Sequence, residues 1–156
     1  KVFSPKKSNL IKPAFSAEYI SNWVDGKSKF AGSNTCKSCH IEASKAYEDS
    51  KHFVAYDTLT KIDQHENQAC VGCHVVGFDE KGGFVSEQHT PHLKGVGCEQ
   101  CHGPRKQHAL HPAAVSAEVR NVNRLAARAA CKTCHKPPHS TNFSFGKYWP
   151  KIKHGK

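Results

Sequence analysis

Eight cysteines and twelve histidines carry most of the reactive chemistry of this 156-residue sequence, which has no methionine. Every cysteine falls into one short pattern that occurs four times: Cys36-Lys-Ser-Cys39-His40, Cys70-Val-Gly-Cys73-His74, Cys98-Glu-Gln-Cys101-His102 and Cys131-Lys-Thr-Cys134-His135. The pattern sets two thiols one helical turn apart on one face, with an imidazole directly after the second. Two thioether bonds there pin a porphyrin edge while the adjacent histidine reaches the iron, so Cys-x-x-Cys-His reads as a c-type haem attachment site. The expectation is four covalently attached haem c groups, each held by a cysteine pair and ligated on the proximal side by His40, His74, His102 or His135.

Other cysteine chemistries fit less well. Disulfide staples and paired zinc ribbons use the thiols but leave the four following histidines unexplained. A chance histidine in all four places has a probability on the order of 10⁻⁵. Iron–sulfur clusters take four thiolates each, and motif intervals of 34, 28 and 33 residues suit them poorly. The flanking residues do not repeat with the motif, so this is one chemical device set on unlike segments rather than a solenoid.

Each iron has a sixth position. Without methionine, His/Met ligation is excluded, and bis-His ligation with potentials below those of His/Met cytochromes is expected for most haems. The histidines outside the motifs are His52, His65, His89, His92, His108, His111, His139 and His154.

The rest of the composition agrees. Only 37% of residues are hydrophobic and mean hydropathy is −0.64, a lean supply for a core. Four haems, one for every 39 residues, would fill the interior, and the polypeptide is not expected to fold without them. No apolar run is long enough to span a bilayer, and the opening residues lack the apolar stretch of an export signal, which is expected to have been removed or left out. The net charge is +10; haem propionates and iron would bring the oxidised protein to roughly +6 and the reduced one to roughly +2. No Lys/Arg block or reader motif points to nucleic acid. A basic surface suits an acidic redox partner met in a salt-sensitive encounter.

Positioning these groups falls to short helices. Residues 1–30 read as an extended Lys-rich arm with one helix from Ser16 to Trp23, closed by Asp25-Gly26, ahead of a haem-bearing domain over 31–156. Helices are predicted over Ile41–Leu59 and, most clearly, over Ser116–Ala130. Residues 75–98, rich in glycine, read as loop with a brief hairpin around Val75–Phe78 and Phe84–Ser86. The fold class is mainly α, a small multihaem cytochrome fold with long loops packed around four covalently bound haems.

Residues 70–108, with CVGCHVVGFDEKGGF and TPHLKGVGCEQCHGPRKQH, strongly resemble the cytochrome c-554 family of tetrahaem electron-transfer proteins. Residues 30–52, FAGSNTCKSCHIEASKAYEDSKH, look like that family's first haem segment, and the likeness runs roughly from Phe30 to His135. The resemblance implies an exported, helical fold with haems close enough for rapid electron hopping. It also implies sixth ligands at His52, at His108 with His111 as fallback, and, capping the last haem, at His154 with His139 next. Family members differ at the second haem, some leaving its sixth position open; here His92 and His89 are available to the haem on His74.

The leading functional expectation is an electron carrier working in the periplasm or outside the cell, with no catalytic residue. One alternative is an enzyme acting on hydroxylamine, nitric oxide or nitrite at an open haem. The other is a subunit of a haem filament or larger cytochrome complex, to which the Lys-rich arm would contribute.

Overall fold

The computed structural model describes residues 28–114 and 124–154. The helix expected from Ser16 to Trp23, the arm up to residue 27 and the start of the helix expected from Ser116 lie outside them. Within them the chain is mainly helical, as expected: α1 Ser33–Lys37, α2 Ile41–Glu48, α3 Ala55–Thr60, α4 Gln68–Val71, α5 Cys98–His102, α6 Lys106–Leu110, α7 Arg124–Cys134 and α8 Phe145–Ile152, with 3-10 turns at Pro91–Leu93 and Pro112–Ala114. No helix among the described residues is long and apolar enough to cross a membrane.

The segment expected as one helix over Ile41–Leu59 is two. The N–H of Asp49 still donates to the carbonyl of Lys45, but the Ser50 hydroxyl then takes the Tyr47 carbonyl at 2.6 Å, closing α2. Turns over 51–54 follow before α3 begins. The carbonyl of His52 accepts the N–H of Val96 at 3.0 Å, which anchors the break. His52 therefore stands on a turn, free of a helix surface.

No strand forms among the described residues; the expected hairpin is replaced by turns. Phe84 N–H donates to Val76 O at 2.9 Å and Val76 N–H to Leu93 O at 2.9 Å, and an isolated antiparallel bridge joins Val75 to Lys94. The chain doubles back so tightly that a Cβ on Gly83 would overlap the Gly77 carbonyl. A side chain at either position would push the turns apart.

This glycine-rich stretch is the driest part among the described residues. Val75 and Leu93 are fully buried and join Phe30, Tyr56, Leu59, Val71, Val76 and Phe84 in one apolar cluster. That cluster is small and sits on one side of the second motif. Large apolar side chains elsewhere, Ile41, Phe53, Ile62 and Leu110 among them, remain exposed.

Candidate haem centres

Each motif is delivered by a helix or a helix end. α1 carries Cys36 and stops just before Cys39 and His40, while α5 contains the whole third motif. α4 opens on Asn67, whose side chain accepts the Ala69 N–H at 3.0 Å, and presents Cys70. α7 runs past the predicted end at Ala130 to Cys134, so the fourth cysteine pair is helical and His135 follows the helix end.

A buried carboxylate locks the first and third motifs together. Glu99, 3% exposed, accepts the backbone N–H groups of Ala31 (3.0 Å), Gly32 (2.8 Å) and Arg105 (2.7 Å). Ser33 at the head of α1 accepts the Cys98 N–H at 3.1 Å. Such charge-assisted bonds to backbone donors are the strong kind. Beyond them the thiols of Cys36 and Cys98 share a hydrogen bond, which pushes the Cys36 thiol up and the Cys98 thiol down. Cys73 and Cys134 are paired in the same manner; burial foremost, then that bond, pushes Cys73 up to about 11.

Three motif histidines each face a histidine from outside the motifs. Ring centroids lie 6.0 Å apart for His40 and His108, 6.0 Å for His52 and His135, and 5.7 Å for His102 and His154, with the rings tilted by 50°, 50° and 45°. Two imidazoles that share one metal at about 2 Å on opposite sides have centroids roughly 6 Å apart. Among the described residues no three His, Cys, Asp or Glu converge as a bare metal ion would require. Histidines that meet in twos beside paired thiols suit a group that already supplies four equatorial nitrogens. The residues therefore fit haem.

The protonation chemistry agrees. Burial first, and the charge of His135 second, hold His52 below the usual histidine range. Burial likewise depresses His102, helped by His154, Arg105 and His40, and depresses His135. Neutral imidazole is the ligating form. His154 directs Nδ1 at the Ile152 carbonyl (3.1 Å), and His135 Nδ1 meets the Ser140 hydroxyl (3.2 Å). A donating Nδ1 leaves the Nε2 lone pair for a metal.

His74 differs. Its Nδ1 donates to the Ala55 carbonyl at 2.7 Å, fixing the same tautomer, yet it has no ring contact with another histidine of the described residues. His92 packs against Gly32 at the head of α1 and lines a cleft with Tyr47, Tyr56 and Lys94. His89 Nδ1 is 2.7 Å from the Ser86 hydroxyl. His111 and His139 are exposed and unpaired with any motif histidine. His65 has a buried Nδ1 without a hydrogen-bond partner, 3.9 Å from the Asp63 carboxylate, and its ring lies 6.3 Å from that of Tyr56.

Sequence reasoning missed Glu99, an acid inside a motif whose partners lie far along the chain. It also missed the stack of Phe143 on His135, at 4.3 Å and 14°. An aromatic a few residues after a motif is the one signal that could have drawn attention to it.

A helical arrangement with no sheet among the described residues, motif thiols in pairs and histidines facing across haem-sized gaps is the pattern of a c-type multihaem cytochrome. The family profile described as "Cytochrome c554 and c-prime" matches residues 35–103. The chain is 39% identical to cytochrome c-554 of Nitrosomonas europaea over a stretch covering 48% of this chain and 38% of that protein. In that alignment it spans well under half the relative's length. The solved structure of reduced cytochrome c554 from the same organism superposes with a TM-score of 0.51 at 28% identity, covering 81% of this chain and 79% of that one. The profile thus covers just under half of this chain, which resembles cytochrome c-554 in sequence and in fold.

Proposed function

We propose that the protein holds four haem c groups and relays electrons between redox partners outside the cytoplasm. Cys36 and Cys39, Cys70 and Cys73, Cys98 and Cys101, and Cys131 and Cys134 would carry the thioether bonds, with residues 31–156 as the haem-bearing domain and residues 1–30 as its arm. His40 with His108, His102 with His154, and His135 with His52 would be the axial pairs. The observation that carries this reading is that each of the three facing pairs joins one motif histidine to one free histidine.

Haem iron supplies the one-electron chemistry. The chain fixes the spacing. The Glu99 clamp and the Cys36–Cys98 contact hold the first and third attachment edges side by side. Cys101 lies close enough to Cys131 and Cys134 for their charges to raise it, though burial is the larger cause, and Cys134 meets Cys73. The attachment points thus follow the order first, third, fourth, second. Bis-His ligation, with no methionine available, sets low potentials.

A second reading has one specific observation behind it: His74 lacks a facing histidine. A small nitrogen compound such as nitric oxide or hydroxylamine could then reach the metal held there, the chain positioning it only through the Ala55-bound imidazole.

Intact mass and paramagnetic resonance on the purified protein test both. Four haem masses above the 17.2 kDa polypeptide, with low-spin signals dominant, are expected; a mass without them would falsify the proposal. One high-spin signal from the haem at His74 fits either reading; turnover of hydroxylamine or nitric oxide at that haem favours the second.

A further inference from the structure

The excess positive charge is not spread over the molecule. Residues 119–156 contain nine of the 23 Lys and Arg and no Asp or Glu, whereas the 118 residues before them carry 14 against all 13 acids. Nearly the whole +10 therefore belongs to the last quarter of the chain, beyond the 35–103 segment shared with the family profile. Among the described residues the lysine–carboxylate ion pairs all lie between Lys29 and Lys94. Lys147, Lys151 and Lys153 are exposed with no carboxylate partner there.

Two of these lysines surround one ring. The Lys147 and Lys151 ammonium groups lie 5.7 and 5.5 Å from the centroid of Tyr148, which is 41% exposed. Tyr148 stacks on Phe143 at 5.7 Å and 7°, and Phe143 stacks on His135 at 4.3 Å and 14°. A column of three near-parallel rings thus leads from a lysine-rich surface to a histidine that faces His52. An exposed aromatic ringed by cations is the composition of an interface anchor.

We infer that the Lys147–Tyr148–Lys151 face of α8 is the docking port for an acidic one-electron redox protein, whose electron enters or leaves through the haem held by His135. This rests on the electron-transfer reading above. In the exit direction the haem that His135 would hold would give up one electron and the partner would gain it, with no bond formed and no proton moved. The two lysines attract the acidic partner and orient it, and Tyr148 and Phe143 fill the space between its surface and the His135 ring, keeping water out of that gap.

Stopped-flow oxidation of the fully reduced holoprotein tests this with two small oxidants, anionic Fe(III)–EDTA and cationic hexaammineruthenium(III). In the double variant Lys147→Glu/Lys151→Glu the rate with the anion should fall about tenfold at low salt and the rate with the cation should rise. The control Lys45→Glu/Lys61→Glu, which makes the same charge change on other exposed helix ends, should alter either rate less than about twofold. Raising salt from about 0.02 M to about 0.5 M should erase the difference. In parallel, amide shifts of the ferrous protein titrated with a deca-glutamate peptide should centre on residues 143–153. Equal effects from both double variants, or shifts centred elsewhere, overturn the port. Failure of either oxidant to oxidise the wild-type protein sinks the electron-transfer reading itself.

Discussion

His40, at the end of the first motif, and His108, in α6, face each other with ring centroids 6.0 Å apart and planes tilted by 50°. His108 Nδ1 is buried without a partner, so its place is set by the packing of α6 rather than by a second hydrogen bond. Arg105 N–H on Glu99 and Lys106 N–H on the Lys29 carbonyl (3.1 Å) fix the start of that helix.

Replacing one facing histidine should convert one haem and leave the others alone. His52→Ala, His108→Ala and His154→Ala are each expected to turn one low-spin ferric signal high-spin at unchanged haem content, read by paramagnetic resonance. His111→Ala and His139→Ala, at exposed positions, should leave the spectrum as it is. Wild-type protein is expected to show three low-spin haems and one high-spin haem; four low-spin signals would mean that His74 has a partner after all.

Glu99→Gln keeps the shape of the side chain but removes its charge and turns one acceptor into a donor facing backbone N–H groups. With the bonds to Ala31, Gly32 and Arg105 weakened, stability should fall by about 2–3 kcal/mol. Denaturant unfolding of the holoprotein measures it, and a loss under about 0.5 kcal/mol would remove Glu99 from its structural role.

Gly83→Ala should be worse than any surface change. The added methyl group meets the Gly77 carbonyl, which is backbone and cannot rotate away. A cost above about 3 kcal/mol is expected, seen as a lowered Tm or as failure to accumulate. Gly146, with nothing within reach of an added Cβ, is the matching control; its alanine variant should be neutral or slightly stabilising within the helix.

Without haem the chain should not become compact. The apolar cluster around Val75 and Leu93 is small, and Ile41, Ile62 and Leu110 are exposed. Polypeptide made without haem attachment is expected to be digested rapidly by protease and to lack a cooperative thermal transition. A folded, protease-resistant apoprotein would contradict this.

The helical class and the four attachment motifs were legible in the sequence because both are local: thiol spacing and helix periodicity reach no further than a turn or two. The break between α2 and α3 was not. It depends on Ser50 turning back to the Tyr47 carbonyl and on Val96 reaching His52, and the second contact joins distant segments. The stretch 75–98 was read as loop from its glycines, correctly for hydrogen-bond pattern, but those glycines let Val75, Val76, Phe84 and Leu93 pack as the driest cluster. Periodicity is silent about burial in a segment without regular structure. Histidine pairing was equally hidden, since nothing near His52 in the chain names His135; His154, expected at the last haem, faces His102 of the third motif instead, and His52 takes the place opposite His135.

The reach of Glu99 also bears on assembly. Its carboxylate, inside the third motif, grips the backbone just ahead of the first, and once it is seated Cys36 and Cys98 are in contact. Attachment at the first and third motifs, as proposed above, would then precede the docking of this one acid, which draws the two segments together.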